Sequence, residues 1–398
     1  MKAILHPDIR YIGVDDTEID LFESQYATPE GMCYNSYLIL DEKTAILDTA
    51  DPRMGSQWIA CLQEALNGRK PDYLVVHHME PDHSGCIARV MDLYPNLQLV
   101  AGSKALQMLP QFTQQDFAGR TQAVKEGDLL SLGKHSLQFL AAPMVHWPEV
   151  MTSYDVTSHT LFSADAFGKF GTLDADPDDW ACEARRYYFN ICGKYGTQVA
   201  ALLKKVAPLA IDTICSTHGP ILQGELLSEA LRLYTIWSAY EVETPGVLVA
   251  YASIHGGTKQ AAERLAAMLE QRQVGKVAIT DLSRDDQAEA IEDAFRMGHM
   301  VIAAPTYDGH LFPPMFDFLH HLELKGYQRR RVGIIENGTW APQAGRIMRD
   351  MLANLKQIEI LEPTVTIKSR LKDSDLPALE ALADAIANDV KCSNTNVK

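Results

Sequence analysis

The sequence has no Cys-x-x-Cys pair, and its seven cysteines (Cys33, Cys61, Cys86, Cys182, Cys192, Cys215, Cys392) are scattered and odd in number. That argues against a disulfide framework, a cysteine zinc site and a built-in rubredoxin-type iron centre, and makes a reducing cytoplasm the expected setting. No apolar run approaches the ~18 residues that a membrane span needs. The first residues, Met1-Lys2-Ala3-Ile4-Leu5-His6-Pro7, lack the apolar stretch of a secretion signal. Positive charge is also short. Lys and Arg number 36 against 52 Asp and Glu, a formal net charge of −16, and the pI is near 5.2. A nucleic-acid partner is therefore not expected. The chain has no internal repeat and no low-complexity segment, and residues 393–398 read as a frayed tail.

What is present is a globular composition, 46% hydrophobic and 22% charged, over 398 residues. That length is too great for one ordinary core. Up to about residue 240, short apolar runs follow one another at 36–40, 44–47, 73–76, 97–100, 136–140 and 160–162, with helical patterns at 55–66 and 87–93. Strands with few helices between them predict paired sheets flanked by helices. After Glu241-Val242-Glu243-Thr244-Pro245-Gly246 the pattern changes to strict alternation. Strands are expected over 247–251, 277–282, 300–304, 332–335 and 358–367, and helices over 258–272, 286–297, 313–322, 343–355 and 375–390. Five such units predict a doubly wound parallel sheet. The Pro-Gly pair places the boundary between domains 1–243 and 244–398.

The run Tyr73-Leu74-Val75-Val76 reads as a buried strand that feeds straight into His77-His78-Met79-Glu80-Pro81-Asp82-His83. Two carboxylates and two imidazoles packed at His78, Glu80, Asp82 and His83 repel one another, or lose solvation, unless a cation joins them. Further donors follow other strand ends: His146 in Val145-His146-Trp147-Pro148, Asp165 in Phe162-Ser163-Ala164-Asp165, and His218 in Ser216-Thr217-His218-Gly219. Seven donors exceed the needs of one ion and suit two ions sharing a bridge. Imidazole and carboxylate without thiolate leave iron, manganese and zinc all open. His77 reads as a strand-end residue rather than a ligand.

In the second half, Ser253-Ile254-His255-Gly256-Gly257-Thr258 lies between a strand and a helix. Hydroxyls flanking glycines at a helix N-terminus suit a phosphate. The loop is neither a Walker loop nor a dinucleotide fingerprint. Pro305-Thr306-Tyr307-Asp308-Gly309 and Asn337-Gly338-Thr339-Trp340 open at the same sheet edge, where Tyr307 and Trp340 could cover the faces of a planar ring. This arrangement resembles a flavodoxin, which implies FMN on these three loops.

His-x-Glu-x-Asp-His followed by a distant His, Asp and His resembles the metallo-β-lactamase superfamily. Its zinc hydrolases carry His where this chain has Glu80. That replacement is similar to the flavodiiron proteins, since a harder oxygen donor favours ferric iron. Tyr34-Asn35-Ser36-Tyr37-Leu38-Ile39, Asp165-Ala166-Phe167-Gly168 and Arg186-Tyr187-Tyr188-Phe189-Asn190-Ile191 resemble the same family. His255 and Gly257 depart from its usual aromatic and Asn, and Asn337-Gly338-Thr339-Trp340 from its usual Gly-Trp-Ser-Gly.

The resemblance implies an α/β architecture, a metallo-β-lactamase-like αββα sandwich followed by a flavodoxin-like doubly wound parallel five-stranded sheet. It implies that His78, Glu80 and His146 hold one non-haem iron, that Asp82, His83 and His218 hold a second, and that Asp165 bridges them. Tyr26 is implied as an aromatic beside the substrate pocket. The implied function is an oxidoreductase that passes electrons through FMN to the irons and reduces O2 to water or NO to N2O. A head-to-tail homodimer or dimer of dimers is implied, with a separate donor such as a rubredoxin or, in some archaea, a deazaflavin-linked route. Arg329-Arg330-Arg331 and Lys368 with Arg370 are candidate docking charges. The alternatives are a di-zinc hydrolase with an appended flavodoxin-like domain, and a non-catalytic flavin carrier.

Overall fold

The computed structural model describes residues 5–175 and 179–395, and the chain divides into two compact units, Met1–Thr235 and Ile236–Lys398. The division falls within the helix Gly224–Ser238, ahead of the boundary expected at 243/244. Of the expected tail, residues 393–395 continue the last helix, Leu376–Thr395, and residues 396–398 lie outside the described residues. No helix among the described residues is long and apolar enough to cross a membrane.

The first unit is built on two six-stranded sheets. One runs Ile9–Tyr11, Tyr37–Leu40, Thr44–Leu47, Tyr73–Val76, Gln98–Gly102, Thr121–Val124. The other runs Leu129–Ser131, Ser136–Ala141, Met151–Asp155, Thr160–Phe162, Thr213–Cys215, Leu222–Gln223. Side chains alternate across each strand, so Tyr37 and Ile39, Ala45 and Leu47, and Leu137 and Phe139 point to one face. These residues meet Val75, Val100, Met151 and Phe162 in a single apolar cluster that both sheets share. The helices Gly55–Leu66 and Ser103–Thr113 pack on the first sheet. Gly55–Leu66 buries Trp58, Ile59, Leu62 and Leu66, which is the 3.6-residue stripe of an amphipathic helix.

Met151–Asp155 has no apolar signature, yet all five residues are buried. Its polar side chains are partnered instead. Ser153 Oγ stands 2.8 Å from His77 Nε2, and Asp155 Oδ2 stands 2.7 Å from His135 Nδ1. On the far side of its ring, His77 Nδ1 lies 2.5 Å from Asp48 Oδ2. The Asp48–His77–Ser153 chain therefore joins the two sheets inside the core. It has the atom order of a hydrolytic triad, but with Ser153 fully buried it is a strut.

The second unit has one sheet in the order Lys276–Asp281, Thr244–Tyr251, Met297–Tyr307, Gln328–Asn337, Lys356–Ile367, all parallel. A sixth strand, His310–Leu311, pairs antiparallel with the third and was not expected. The order places the first strand between the second and third, which opens a crevice at its C-terminal end. Gly257–Gln271 and Leu376–Thr395 cover one face through Ala261, Leu265, Leu379, Leu382 and Ile386. Arg330, expected as a surface docking charge, is only 2% exposed. Its guanidinium donates to the carbonyls of Met297, Tyr240 and Glu241 and so ties strand starts together.

Candidate metal centre and flavin site

The strand Tyr73–Val76 ends beneath the second sheet, and His77 O accepts from Met151 N at 3.0 Å. His78 follows at once. Glu80 then caps a one-turn helix, Pro81–Ser84, that carries Asp82 and His83. Pro81 suits the first helical position because its missing N–H would have no partner there. His146, Asp165 and His218 arrive from three loops of the second sheet.

The seven donors form two groups with Asp165 between them. In the first, Glu80 Oε2 lies 3.1 Å from His78 Nε2 and 3.0 Å from His146 Nε2. Asp165 Oδ2 lies 3.5 and 3.1 Å from the same two nitrogens. In the second, Asp82 Oδ2 is 3.2 Å from both His83 Nε2 and His218 Nε2, and Asp165 Oδ1 is 3.1 Å from His83 Nε2 and 3.9 Å from His218 Nε2. Donors held ~2.1 Å from one tetrahedral ion stand roughly 3.4 Å apart. The spacing therefore leaves room for one ion in each group, with one oxygen of Asp165 facing each.

The residues fit a pair of cations on a second ground. Both oxygens of Asp82 and both ring nitrogens of His83 are buried without a well-aligned hydrogen bond, and His83 Nε2 meets Asp82 and Asp165 only at ion-pair distance. Orphaned polar atoms of this kind are costly in a finished core. Two of the candidate ligands are aimed from behind. His78 Nδ1 is 2.8 Å from the buried Glu149 carboxylate, and His218 Nδ1 is 2.8 Å from the Cys33 carbonyl, so each presents Nε2 inward. Glu149 also accepts from Met79 N at 3.0 Å. Replacing Glu149 by Ala is expected to weaken metal affinity about 10- to 100-fold with the fold retained, measured by competition with a chelator.

Without metal, protons hold the cluster together. Burial pushes His83 and His146 down, but the carboxylates of Asp82, Asp165 and Glu80 outweigh it and raise both to about 9. Glu80 falls to about 2, because its bonds to His146 and His78 outweigh burial. Metal must displace the imidazole protons, so uptake releases protons and affinity rises with pH up to about 9. The raised values also stabilise the metal-free fold fully below 6.5, and that stability is lost as pH rises through about 9. Chelator-stripped protein should therefore melt lower at pH 10 than at about pH 7, while the gap to loaded protein widens. Equal gaps at both pH values would contradict this.

Beside the two groups lies a cleft of about 260 Å³ lined by Phe22, Glu23, Tyr34, Arg53, Glu80 and Asp82, among others. Phe22, Glu23 and Arg53 carried no recognisable signal in the sequence. Tyr26 does not line this cleft. Its ring is buried beside Phe170 and its hydroxyl donates to Asn190 O at 3.1 Å. His77 takes no part in either group.

In the second unit the three predicted loops line one cavity of about 700 Å³. It holds Ser253, Ile254, His255, Gly257, Thr258, Pro305, Thr306, Tyr307, Asp308, Gly309, Asn337, Gly338, Thr339 and Trp340; Gly256 is not on its wall. Gly256 instead begins the helix Gly257–Gln271 at φ 84°, and Ser253 Oγ caps that N-terminus by accepting from Gly256 N at 3.1 Å and Lys259 N at 3.3 Å. Two of the predicted side chains hold loops. Thr306 Oγ1 accepts from Gln343 N and Ala344 N, and Asn337 Nδ2 donates to Thr258 Oγ1 and Ser369 O. Ala341, Gln343, Ser369 and Arg370 complete the wall; the first three were missed, and Arg370 was expected as a docking charge. Tyr307 and Trp340 are 44% and 82% exposed, as rings waiting at a rim would be.

A sandwich carrying a two-ion carboxylate–imidazole cluster, followed by a flavodoxin-type sheet with its crevice, defines a two-domain metallo-flavoprotein. Comparison with known proteins agrees. Residues 32–219 match the profile of the ODP family beta lactamase, and residues 248–362 that of a flavodoxin domain. A nitric oxide reductase of Moorella thermoacetica is 30% identical over 395 residues, covering 95% of this chain and 96% of that protein. The rubredoxin oxygen:oxidoreductase of Desulfovibrio gigas superposes with a TM-score of 0.91 at 23% identity, covering 98% of this chain and 99% of the other. A putative diflavin flavoprotein of Synechocystis is 29% identical over 87% of this chain but only 60% of its own length. The chain spans between about half and two thirds of the diflavin relatives it matches. The chain belongs to the flavodiiron protein family.

Proposed function

We propose that the chain is an oxidoreductase that takes electrons from an external donor through FMN to a pair of non-haem irons, reducing O2 to water, NO to N2O, or both. The observation that carries this reading is Asp165, with one oxygen facing each of two groups of imidazole and acid. In this reading His78, Glu80 and His146 hold one iron, Asp82, His83 and His218 the other, and residues 244–398 hold the flavin. Bound there, the irons would bind and polarise the small molecule and exchange electrons with it, and the flavin would restore those electrons. The chain's own residues set the conditions. Glu149 and the Cys33 carbonyl fix the tautomers of His78 and His218. Phe22, Tyr34 and Tyr187 pack edge-on or tilted around His218 and keep bulk water from it. Tyr26 acts as a positioning residue, supporting that aromatic wall through Phe170.

The relatives support a small electron donor such as a rubredoxin, the family resemblance a head-to-tail homodimer or dimer of dimers, and the scattered cysteines a reducing cytoplasm. No observation favours the di-zinc hydrolase, in which the flavin cavity would have no task. The test is to reduce the purified protein with a rubredoxin system and follow O2 and NO separately by electrode, alongside iron and FMN analysis. Turnover of either gas supports the reading. Fewer than about one iron per chain, or turnover of neither gas, would sink it.

A further inference from the structure

A second set of metal-type donors lies outside the centre described above, in the same unit. His6, Asp8 and His135 present one donor each within 4.8 Å of one another. His6 and Asp8 precede the edge strand Ile9–Tyr11 of the first sheet, and His135 lies in the turn before Ser136–Ala141 of the second. Asp8 Oδ2 stands 3.6 Å from His6 Nδ1 and 3.3 Å from His135 Nε2. Both spacings bracket the roughly 3.4 Å edge of a tetrahedron around an ion held at ~2.1 Å.

The arrangement behind His135 points the same way. Its ring is fully buried, and Nδ1 lies 2.7 Å from Asp155 Oδ2, which is itself fully buried. A carboxylate on one ring nitrogen orients the other as a ligand and makes it more basic, the usual backing of a metal-bound histidine. Three local contacts compete with an ion, the first being the 3.3 Å hydrogen bond between His135 Nε2 and Asp8 Oδ2 themselves. Lys134 Nζ bonds Asp8 Oδ2 at 2.8 Å, and Asp8 N donates to His6 Nδ1 over a long 3.3 Å. Lys134 is 57% exposed on its side chain and can swing into water.

We propose that His6, Asp8 and His135 bind a borderline divalent cation, with zinc the natural probe, in a site separate from the iron pair. Two imidazoles and one carboxylate leave a fourth position to water and match zinc's preferred donors. The ion would clamp the edge of one sheet to a turn of the other.

The test uses the chain loaded with iron and FMN, incubated with zinc, desalted, and analysed for zinc and iron together. Wild type should retain about one extra zinc per chain with iron unchanged. His6→Ala and Asp8→Asn should each weaken zinc binding by at least about tenfold while keeping their iron, which reports an intact fold. Lys134→Ala, by removing the competing ammonium, should tighten zinc binding, an effect that a merely structural ion pair would not give. Zinc uptake equal in wild type and both ligand variants, no uptake at all, or zinc gained only in step with iron lost would each overturn the proposal.

Discussion

Asp165→Ala should strip the chain of both metal ions and abolish gas reduction while leaving its flavin in place. The side chain is 1% exposed, and its two oxygens face His146 and His83 at 3.1 Å each. Truncation removes a donor from both groups and leaves four imidazoles with two carboxylates. Affinity at each position should fall by more than about a hundredfold, since changes to outer partners alone reach that size. Iron analysis should return well under one ion per chain, with turnover of O2 and NO below detection. FMN content is the internal control, because its cavity is built wholly from the second unit. Asp165→Ala with wild-type iron would mean that the carboxylate is not shared.

Gly257→Ala should do the reverse. A Cβ at Gly257 would sit 1.9 Å from the carbonyl oxygen of Ser369 and 3.3 Å from Asn337 Nδ2. No carbon fits at that distance, so the Ser369 loop must move and Asn337 loses its bonds to it. The phosphate end of the cavity opens, and flavin retention should fall by more than about a hundredfold, as for an interaction worth some 3 kcal/mol. Iron should stay. Turnover driven by a donor protein should stop, whereas a chemical reductant that reaches the irons directly should still support one round of gas consumption. Gly256→Ala is the control. Its φ is 84°, but nothing lies within 4 Å of the new carbon, so the cost is roughly 1 to 2 kcal/mol of strain with flavin kept. Equal flavin loss in both variants would point to general loop damage.

The contrast shows what could be read from the sequence. The departure at Gly257 from the family's usual residue was visible there, but its reason was not, since Ser369 lies over a hundred residues further on. The candidate metal donors were legible because each lies in a loop shortly past an apolar strand, so that strand position and donor chemistry coincide. Glu149 and Cys33 were not, because a carboxylate in a loop and a backbone carbonyl carry no signal until folding sets them behind His78 and His218. Strand Met151–Asp155 was missed for a related reason. Its buried polar residues face His77 and His135, so the alternation that marks a half-buried strand is absent. In the second unit the regular β-α alternation made the order of elements plain. The excess was in the ends, where the third and fourth strands run to Met297–Tyr307 and Gln328–Asn337, longer at both sides than their apolar cores.

The shared carboxylate also has a thermodynamic consequence. In the reading proposed above, an ion in one group would displace imidazole protons held against Asp165 and leave its other oxygen to the second ion. Each occupancy then favours the other by the same coupling free energy, since linkage between two sites is reciprocal. Cooperative loading is the expected outcome, with chains that hold a single ion scarce through an iron titration followed by native mass spectrometry. A preparation averaging one iron per chain is then mostly a mixture of empty and filled molecules, and its activity scales with the filled fraction.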